Sequence, residues 1–312
     1  MPASAQGTAT GWMPAIAEGG AHVSTVECVW PVGAQLGEGP VWSAAEQAVW
    51  FVDIKGQAIH RYHEPTGATR SWRALSQPGF VLPARNGLFI CGLKSGLHEF
   101  DPESGEFRLL HVVEPHAPNN RLNDGYVDAQ GYLWFGSMDD NEQAATGALY
   151  QLTNRGCRRR DEGYVITNGP AESPDGRTLY HTDTLRKVIY TFDRAPEGTL
   201  TNKRVFVTIG EGDGHPDGPA VDSEGVLWSA LFGGWGINRY EPGGKLVGKL
   251  KFPCANVTKA AFGGSDLRSL YVTTAWKGLT AQQREEQPLA GGLFRVRVDV
   301  PGLTQNCIAH GL

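Results

Sequence analysis

The sequence predicts an all-β fold, a six-bladed β-propeller with four-stranded antiparallel blades, and three observations predict it. A short apolar-aromatic run recurs six times, anchored at Trp50, Phe89, Trp134, Tyr180, Trp228 and Tyr271, with spacings of 39 to 48 residues. Turn formers fall between the runs, in a chain of 312 residues that holds 41 Gly and 19 Pro. No unit shows the apolar period of a helix, which argues against a helical solenoid. Repeats of roughly 45 residues, each a small antiparallel sheet, match propeller blades in length and strand content.

The elements follow in order within each unit. The second strands are VWFVD (Val49 to Asp53), GLFICG (Gly87 to Gly92), LWFGSM (Leu133 to Met138), TLYHTD (Thr178 to Asp183), VLWSAL (Val226 to Leu231) and SLYVTT (Ser269 to Thr274). Hairpin turns of the ARNG, DAQG, SPDG and DSEG kind precede most of them. Third strands repeat an aliphatic-x-x-aromatic or aliphatic pattern: IHRY (Ile59 to Tyr62), LHEF (Leu97 to Phe100), LYQL (Leu149 to Leu152), IYTF (Ile189 to Phe192), INRY (Ile237 to Tyr240) and LFRV (Leu293 to Val296). The run STVECVW (Ser24 to Trp30) has no repeat of its own. It is expected to supply the outermost strand of the last blade, so that no sheet edge stays open. Residues 1–23 are then expected to be a loose tail and 24–312 a single propeller domain.

Composition narrows the function. Lys and Arg number 28 against 33 Asp and Glu, a net charge of −5, which disfavours nucleic acid and anionic membranes as partners. The one basic cluster, Arg158 to Arg160, runs straight into Asp161 and Glu162 and reads as a solvated turn. Five cysteines without a CxxC pair suggest neither a disulfide framework nor a thiolate zinc site. The N-terminal stretch lacks the basic and apolar regions of a signal peptide, and no run is apolar enough to span a membrane. The expectation is a cytoplasmic protein, monomeric or weakly homo-oligomeric, acting on a small molecule.

Four polar residues share one phase of the repeat. Glu38, Asn123, Asn168 and Asp217 each precede a second-strand anchor by 11 or 12 residues. Asn-Asp-Gly, Asn-Gly-Pro and Pro-Asp-Gly are turn sequences, and taken singly these residues read as loop shapers. A turn role does not account for a carboxylate at the same phase in LGEGPVW. Packed around one axis, the four would converge on it, offering carboxylate and amide oxygens that suit Ca²⁺, Mg²⁺ or Mn²⁺ and tolerate Zn²⁺ or Fe²⁺. The nine histidines show neither HxH nor HExxH spacing, so a histidine zinc site is not expected. His215, two residues from Asp217, reads by default as a loop histidine.

The ordered set LGEGPVW (Leu36 to Trp42), NNRLNDG (Asn119 to Gly125), Asn168-Gly169, PDG (Pro216 to Gly218) with VDSEGVLW, and VTKAAFGG (Val257 to Gly264) resembles the regucalcin (senescence marker protein)–gluconolactonase family. The resemblance spans about residues 24 to 297. It implies a six-bladed propeller and hydrolysis of a sugar aldonolactone with one divalent metal ion. It further implies Glu38, Asn168 and Asp217 as metal ligands, and Arg121 and Asn123 as substrate contacts. One departure is Pro170-Ala171-Glu172, where the family usually follows Asn-Gly with an aliphatic and then an aromatic residue.

Lactone hydrolysis needs a polarised carbonyl and an activated water. Asp217 is the candidate general base, with Arg121 and Asn123 orienting hydroxyls or the developing oxyanion. A GxSxG nucleophile motif is absent. The long connections from second to third strand, Asp139 to Gly147 and Lys277 to Gly291, together with Trp235, are expected to overhang the site. The alternatives are a non-catalytic calcium-binding regulatory propeller and a broader metal-dependent esterase or phosphotriesterase.

Overall fold

A computed structural model describes residues 25–309. The expected tail, residues 1–23, and the first residue of the expected closing strand, Ser24, lie outside the described residues. Six four-stranded antiparallel sheets form the ring of a six-bladed β-propeller. In chain order the innermost strands are Gly37–Ser43, Pro78–Pro83, Asn120–Val127, Thr167–Glu172, His215–Val221 and Asn256–Gly263. Each is followed outward by a second strand that carries its anchor, for example Ala48–Asp53 with Trp50 and Leu133–Asp139 with Trp134.

The anchors hold neighbouring blades together. Trp50 is fully buried and packs on Phe89 of the next blade with ring centroids 4.2 Å apart. Tyr271 of the last blade stacks on Trp42 of the first at 5.8 Å. Two of the anchors are pinned by the turn before them. In VDAQGYLW the Asp128 carboxylate accepts the indole N–H of Trp134 at 2.9 Å and the backbone N–H groups of Gln130 and Tyr132. In VDSEGVLW, Asp222 does the same for Trp228, Glu224 and Val226.

The ring closes as expected. Strand Glu27–Trp30 pairs antiparallel with Leu293–Arg297, matching Glu27 to Arg295 and Cys28 to Phe294. The Arg295 guanidinium donates to the Glu27 carboxylate at 2.8 Å.

Every innermost strand slips register against its partner at the same height. The slips fall between Glu38 and Val41, Pro78 and Phe80, Leu122 and Gly125, Asn168 and Ala171, Pro216 and Pro219, and Val257 and Lys259. A bulge turns a strand and re-aims a side chain, and here it does so at one level around the axis. Close approach there needs small residues. A Cβ on Gly79 would meet the carbonyl oxygens of Leu122 and Asn123 at 2.4 Å.

Two features depart from the expectation of strands and loops alone. The connection after Ser269–Ala275 contains a short helix, Ala281–Glu286, started by a Thr280–Gln283 capping box. Residues 301–309 cross the face opposite the starts of the innermost strands. There Pro301 O accepts the N–H of Ser223, while Ile308 N–H donates to Pro83 O and Ala309 N–H to Gly131 O.

Candidate functional site

Glu38, Asn123, Asn168 and Asp217, from the first, third, fourth and fifth blades, line one cavity of about 200 Å³. The bulges explain the convergence: each residue sits where its strand turns toward the axis. Arg121, Met138, Glu142, Thr184, His215, Phe232 and Lys277 complete much of the wall. Glu38 and Asp217 are each only 5 % exposed.

A hydrogen-bond chain fixes the amides. Arg121 Nη1 donates to Asn123 Oδ1 at 2.5 Å, and its Nε donates to Asp140 at 2.9 Å. Asn123 Nδ2 donates to Thr167 O at 2.6 Å and to Asn168 Oδ1 at 3.1 Å. Asn168 Nδ2 donates to Thr184 Oγ1 at 2.9 Å. Asn168 Oδ1 therefore faces away from its own donor contact and keeps a second lone pair. The guanidinium and both amides are locked by neighbours, as a preorganised recognition surface needs.

The carboxylates are treated differently. Glu38 accepts only the N–H of Gly39, at 3.0 Å, and neither Glu38 nor Asp217 forms an ion pair among the described residues. Burial, and then the charge of Asp124, push the Glu38 carboxyl up to about 8. Burial raises Asp217 well above the usual carboxylate range, with the Glu38 and Asp124 charges adding to it. Burial thus favours the protonated form of each group, and a bound cation would favour the ionised form. No three His, Cys, Asp or Glu side chains cluster as a metal site among the described residues; the oxygen donors that converge from the innermost strands are two carboxylates and two amides.

The expected overhanging loops meet above this floor. Glu142, in the connection after Leu133–Asp139, pairs with Lys277, in the connection after Ser269–Ala275, and both line the cavity. His215 is drawn into the wall, its Nδ1 3.3 Å from Thr184 O, so the default of a plain loop histidine does not hold. Trp235 corrects an expectation. It is 45 % exposed and takes no part in the cavity, because its backbone bonds to Phe252 and Ala255 tie the turn to the flank of its blade. Phe232 fills that part of the wall instead.

The departure at Pro170 to Glu172 leaves the cavity intact. Glu172 points away from it, its carboxylate 3.0 Å from Arg194 Nε without a hydrogen bond between them, while Tyr126 donates to it at 3.3 Å. Sequence reasoning missed Asp124, Thr184 and Lys259; it placed the loops of Glu142 and Lys277 over the site without singling out those two side chains. For Lys259 a signal existed: it lies 12 residues before Tyr271, the offset of Glu38 from Trp50.

A family model described as the SMP-30/Gluconolactonase/LRE-like region matches residues 36–276. The chain belongs to this family. The 6-deoxy-6-sulfogluconolactonase of Pseudomonas putida is 32 % identical over 91 % of this chain and 99 % of its own length. The L-arabinolactonase of Azospirillum brasilense is 34 % identical, over 83 % and 87 % of the two chains. Among solved structures, a calcium-binding protein, regucalcin, from Agrobacterium tumefaciens superposes with a TM-score of 0.87 at 25 % identity, covering 90 % of this chain and 96 % of that one. The match over residues 36–276 includes all six innermost strands, from Gly37–Ser43 to Asn256–Gly263, and with them the strands that carry Glu38, Asn123, Asn168 and Asp217.

Proposed function

We propose that this protein hydrolyses a sugar aldonolactone of the glucono-, xylono-, arabino- or galactonolactone type to the open aldonic acid, with one divalent metal ion in the cavity. The observation that carries the reading is the convergence of Glu38, Asn168 and Asp217 on one buried cavity beside Arg121 and Asn123. The named activities of two relatives, both lactonases, support it.

The donor set fits such an ion. Two desolvated carboxylates without a direct ion-pair partner among the described residues, and an amide oxygen with a free lone pair, form an oxygen-only site for Ca²⁺, Mg²⁺ or Mn²⁺, with Zn²⁺ and Fe²⁺ tolerated. Glu38, Asn168 and Asp217 would hold it, and its chemistry there is to draw electron density from the lactone carbonyl and ease ionisation of a water. Asp217 serves as the general base that accepts the proton of the attacking water. Arg121 and Asn123 face the cavity in fixed orientation and hydrogen-bond the sugar hydroxyls or the oxygen on which charge develops. The loops carrying Glu142 and Lys277 restrict access by water and solute. Five unpaired cysteines among the described residues support the expectation of a reducing, cytoplasmic setting.

The test is turnover of the four lactones by protein stripped with a chelator and then reloaded with a divalent ion, after subtraction of the spontaneous rate. Activity that vanishes and returns with the ion is expected. Metal binding without any excess rate on the four lactones would favour a non-catalytic calcium-binding propeller, the reading that the regucalcin likeness also supports. Turnover of simple esters or phosphotriesters in place of lactones would favour the broader hydrolase.

A further inference from the structure

Lys259, in the sixth blade, lies one step beneath Glu38, Asn123, Asn168 and Asp217, against Asp124 and Gly218, the residues that follow Asn123 and Asp217. It is 8 % exposed, and its Nζ lies 2.5 Å from Asp124 Oδ1. Its stem lies against the backbone of Gly218, where a Cβ would meet Lys259 Cγ at 2.5 Å. The glycine that follows Asp217 thus makes room for a lysine that reaches the axis. Asp124 is 2 % exposed and has two further contacts, accepting the N–H of Gly125 at 2.8 Å and that of Gly169 at 2.7 Å. Through Gly169 it grips the backbone immediately after Asn168.

The charges on the axis are three carboxylates and one ammonium. After burial itself, the Asp124 charge raises the proton affinity of Glu38, and the Glu38 and Asp124 charges raise that of Asp217; Lys259 opposes this at both, behind Lys277 at Asp217. An unpaired carboxylate as buried as Asp124 is costly, and nothing but Lys259 neutralises it among the described residues. Lys259 also borders a second, smaller chamber on the axis, together with Gly125 and Gly39, so the ion pair forms the floor between the two spaces.

We propose that Lys259 is a built-in cation that takes the place of a second metal ion at the axis, holding Asp124 against Gly169 so that the cavity accepts one divalent ion and Asn168 is set to receive it. The proposal rests on the metal-dependent reading above and deepens it. Lys259 is a positioning residue, since it reaches the proposed ligand Asn168 only through Asp124 and Gly169. Two carboxylates remain for one divalent ion, and the site stays near neutrality. Removing the ammonium would leave Asp124 as an oxygen donor next to a buried void, a setting that favours a second hard cation.

The experiment compares wild type, Lys259→Met, Lys259→Arg and the double variant Lys259→Met/Asp124→Asn. Calcium stoichiometry is read by titration calorimetry and metal analysis, and thermal stability is followed in chelator and in millimolar calcium. Wild type and Lys259→Arg should bind one ion. Lys259→Met should bind two, with a melting temperature depressed in chelator and regained in calcium by a larger margin than wild type gains. The double variant should return to one ion and a near wild-type melting temperature in chelator. A Lys259→Met protein that binds one ion with wild-type affinity and gains no extra stability from calcium overturns the inference while leaving the metal reading intact. If the double variant is as unstable as Lys259→Met, the lysine matters for packing alone and the inference is likewise overturned. Wild type that binds no divalent ion removes the reading on which both rest.

Discussion

Asp217 and Arg121 face the same cavity, yet their environments give them different work, and their variants should separate accordingly. Asp217→Asn keeps the shape but removes a ligand charge and the proposed base, so kcat should fall by roughly 10²-fold or more, the usual range for loss of an acid–base group. Near wild-type turnover in saturating metal would show that the base is elsewhere. Arg121→Ala removes a donor held by Asp140 and Asn123. It should raise KM or lower kcat/KM while leaving the calorimetric affinity for the ion unchanged. A third residue prediction concerns stability alone. Asp222 is fully buried and accepts three hydrogen bonds, including the Trp228 indole N–H at 2.9 Å. Asp222→Ala strands those donors and should cost about 2–4 kcal/mol in denaturant unfolding, on the scale of ~1–3 kcal/mol per buried unsatisfied group. KM should not change. The four converging residues were legible in the sequence because repeat phase survives folding into a ring. Asp124 and Thr184 were not: Asp124 matters through Gly169, a contact that only packing of the third blade on the fourth creates, and Thr184 through Asn168, which pairing of two strands within the fourth blade brings to it.

Strands were the most legible elements, and the reason is local. An apolar-aromatic second strand buried on both sides must be written as a continuous run bounded by turns, as in Thr178–Asp183, whose bounds match the sequence reading. The bulges were written too, though less openly: Glu38-Gly39-Pro40, Asn168-Gly169-Pro170 and Asp217-Gly218-Pro219 repeat one polar-Gly-Pro pattern. Pro170 therefore conforms to the pattern of its own chain, whatever its relatives carry. The short helix Ala281–Glu286 escaped notice because six residues are too few for a 3.6-residue period to show. The closing strand supports a prediction at this scale. A chain that begins at Pro31 lacks Glu27–Trp30 and leaves the edge of Leu293–Arg297 unpaired. It should melt at least several degrees lower and aggregate on heating, which scanning calorimetry with light scattering will show. An unchanged melting curve would mean that closure depends on the first and last blades' side chains, such as Trp42 and Tyr271, without the strand.

At the scale of the molecule, the proposed ion would join blades one, four and five at a point where protein charge opposes their approach. Glu38 is raised to about 8 when no cation is present, above its unfolded value of about 4.3. The native state therefore binds protons that the unfolded chain has released. Metal-free stability should be greatest below about pH 4.5 as far as this group is concerned, and be lost as pH rises toward 8. Melting temperature in chelator should fall between pH 5 and pH 8.5, and saturating calcium should abolish the fall by holding the ionised form. A flat profile in chelator would show that Glu38 and Asp217 are better solvated than their burial implies. Blade number was legible at this scale because it is a count of repeats. The C-terminal crossing was not, since residues 301–309 are held by backbone groups of Ser223, Pro83 and Gly131 and carry no period of their own.

Pairing the first strand with the last also sets a clock for biosynthesis. Glu27–Trp30 leaves the ribosome before any blade is made, and its partner Leu293–Arg297 follows only after roughly 270 further residues, tens of seconds later at about 5–20 residues per second. Blades one to five can form during that interval, but the nascent chain meanwhile exposes two unmatched rims, one on blade one and one on the newest blade. The oxygen donors of blades one, four and five cannot be brought to their final distance until the sixth wedge is inserted. An incomplete translation product would thus be poorly equipped to capture a metal ion, and quality control would have a long window in which to recognise it.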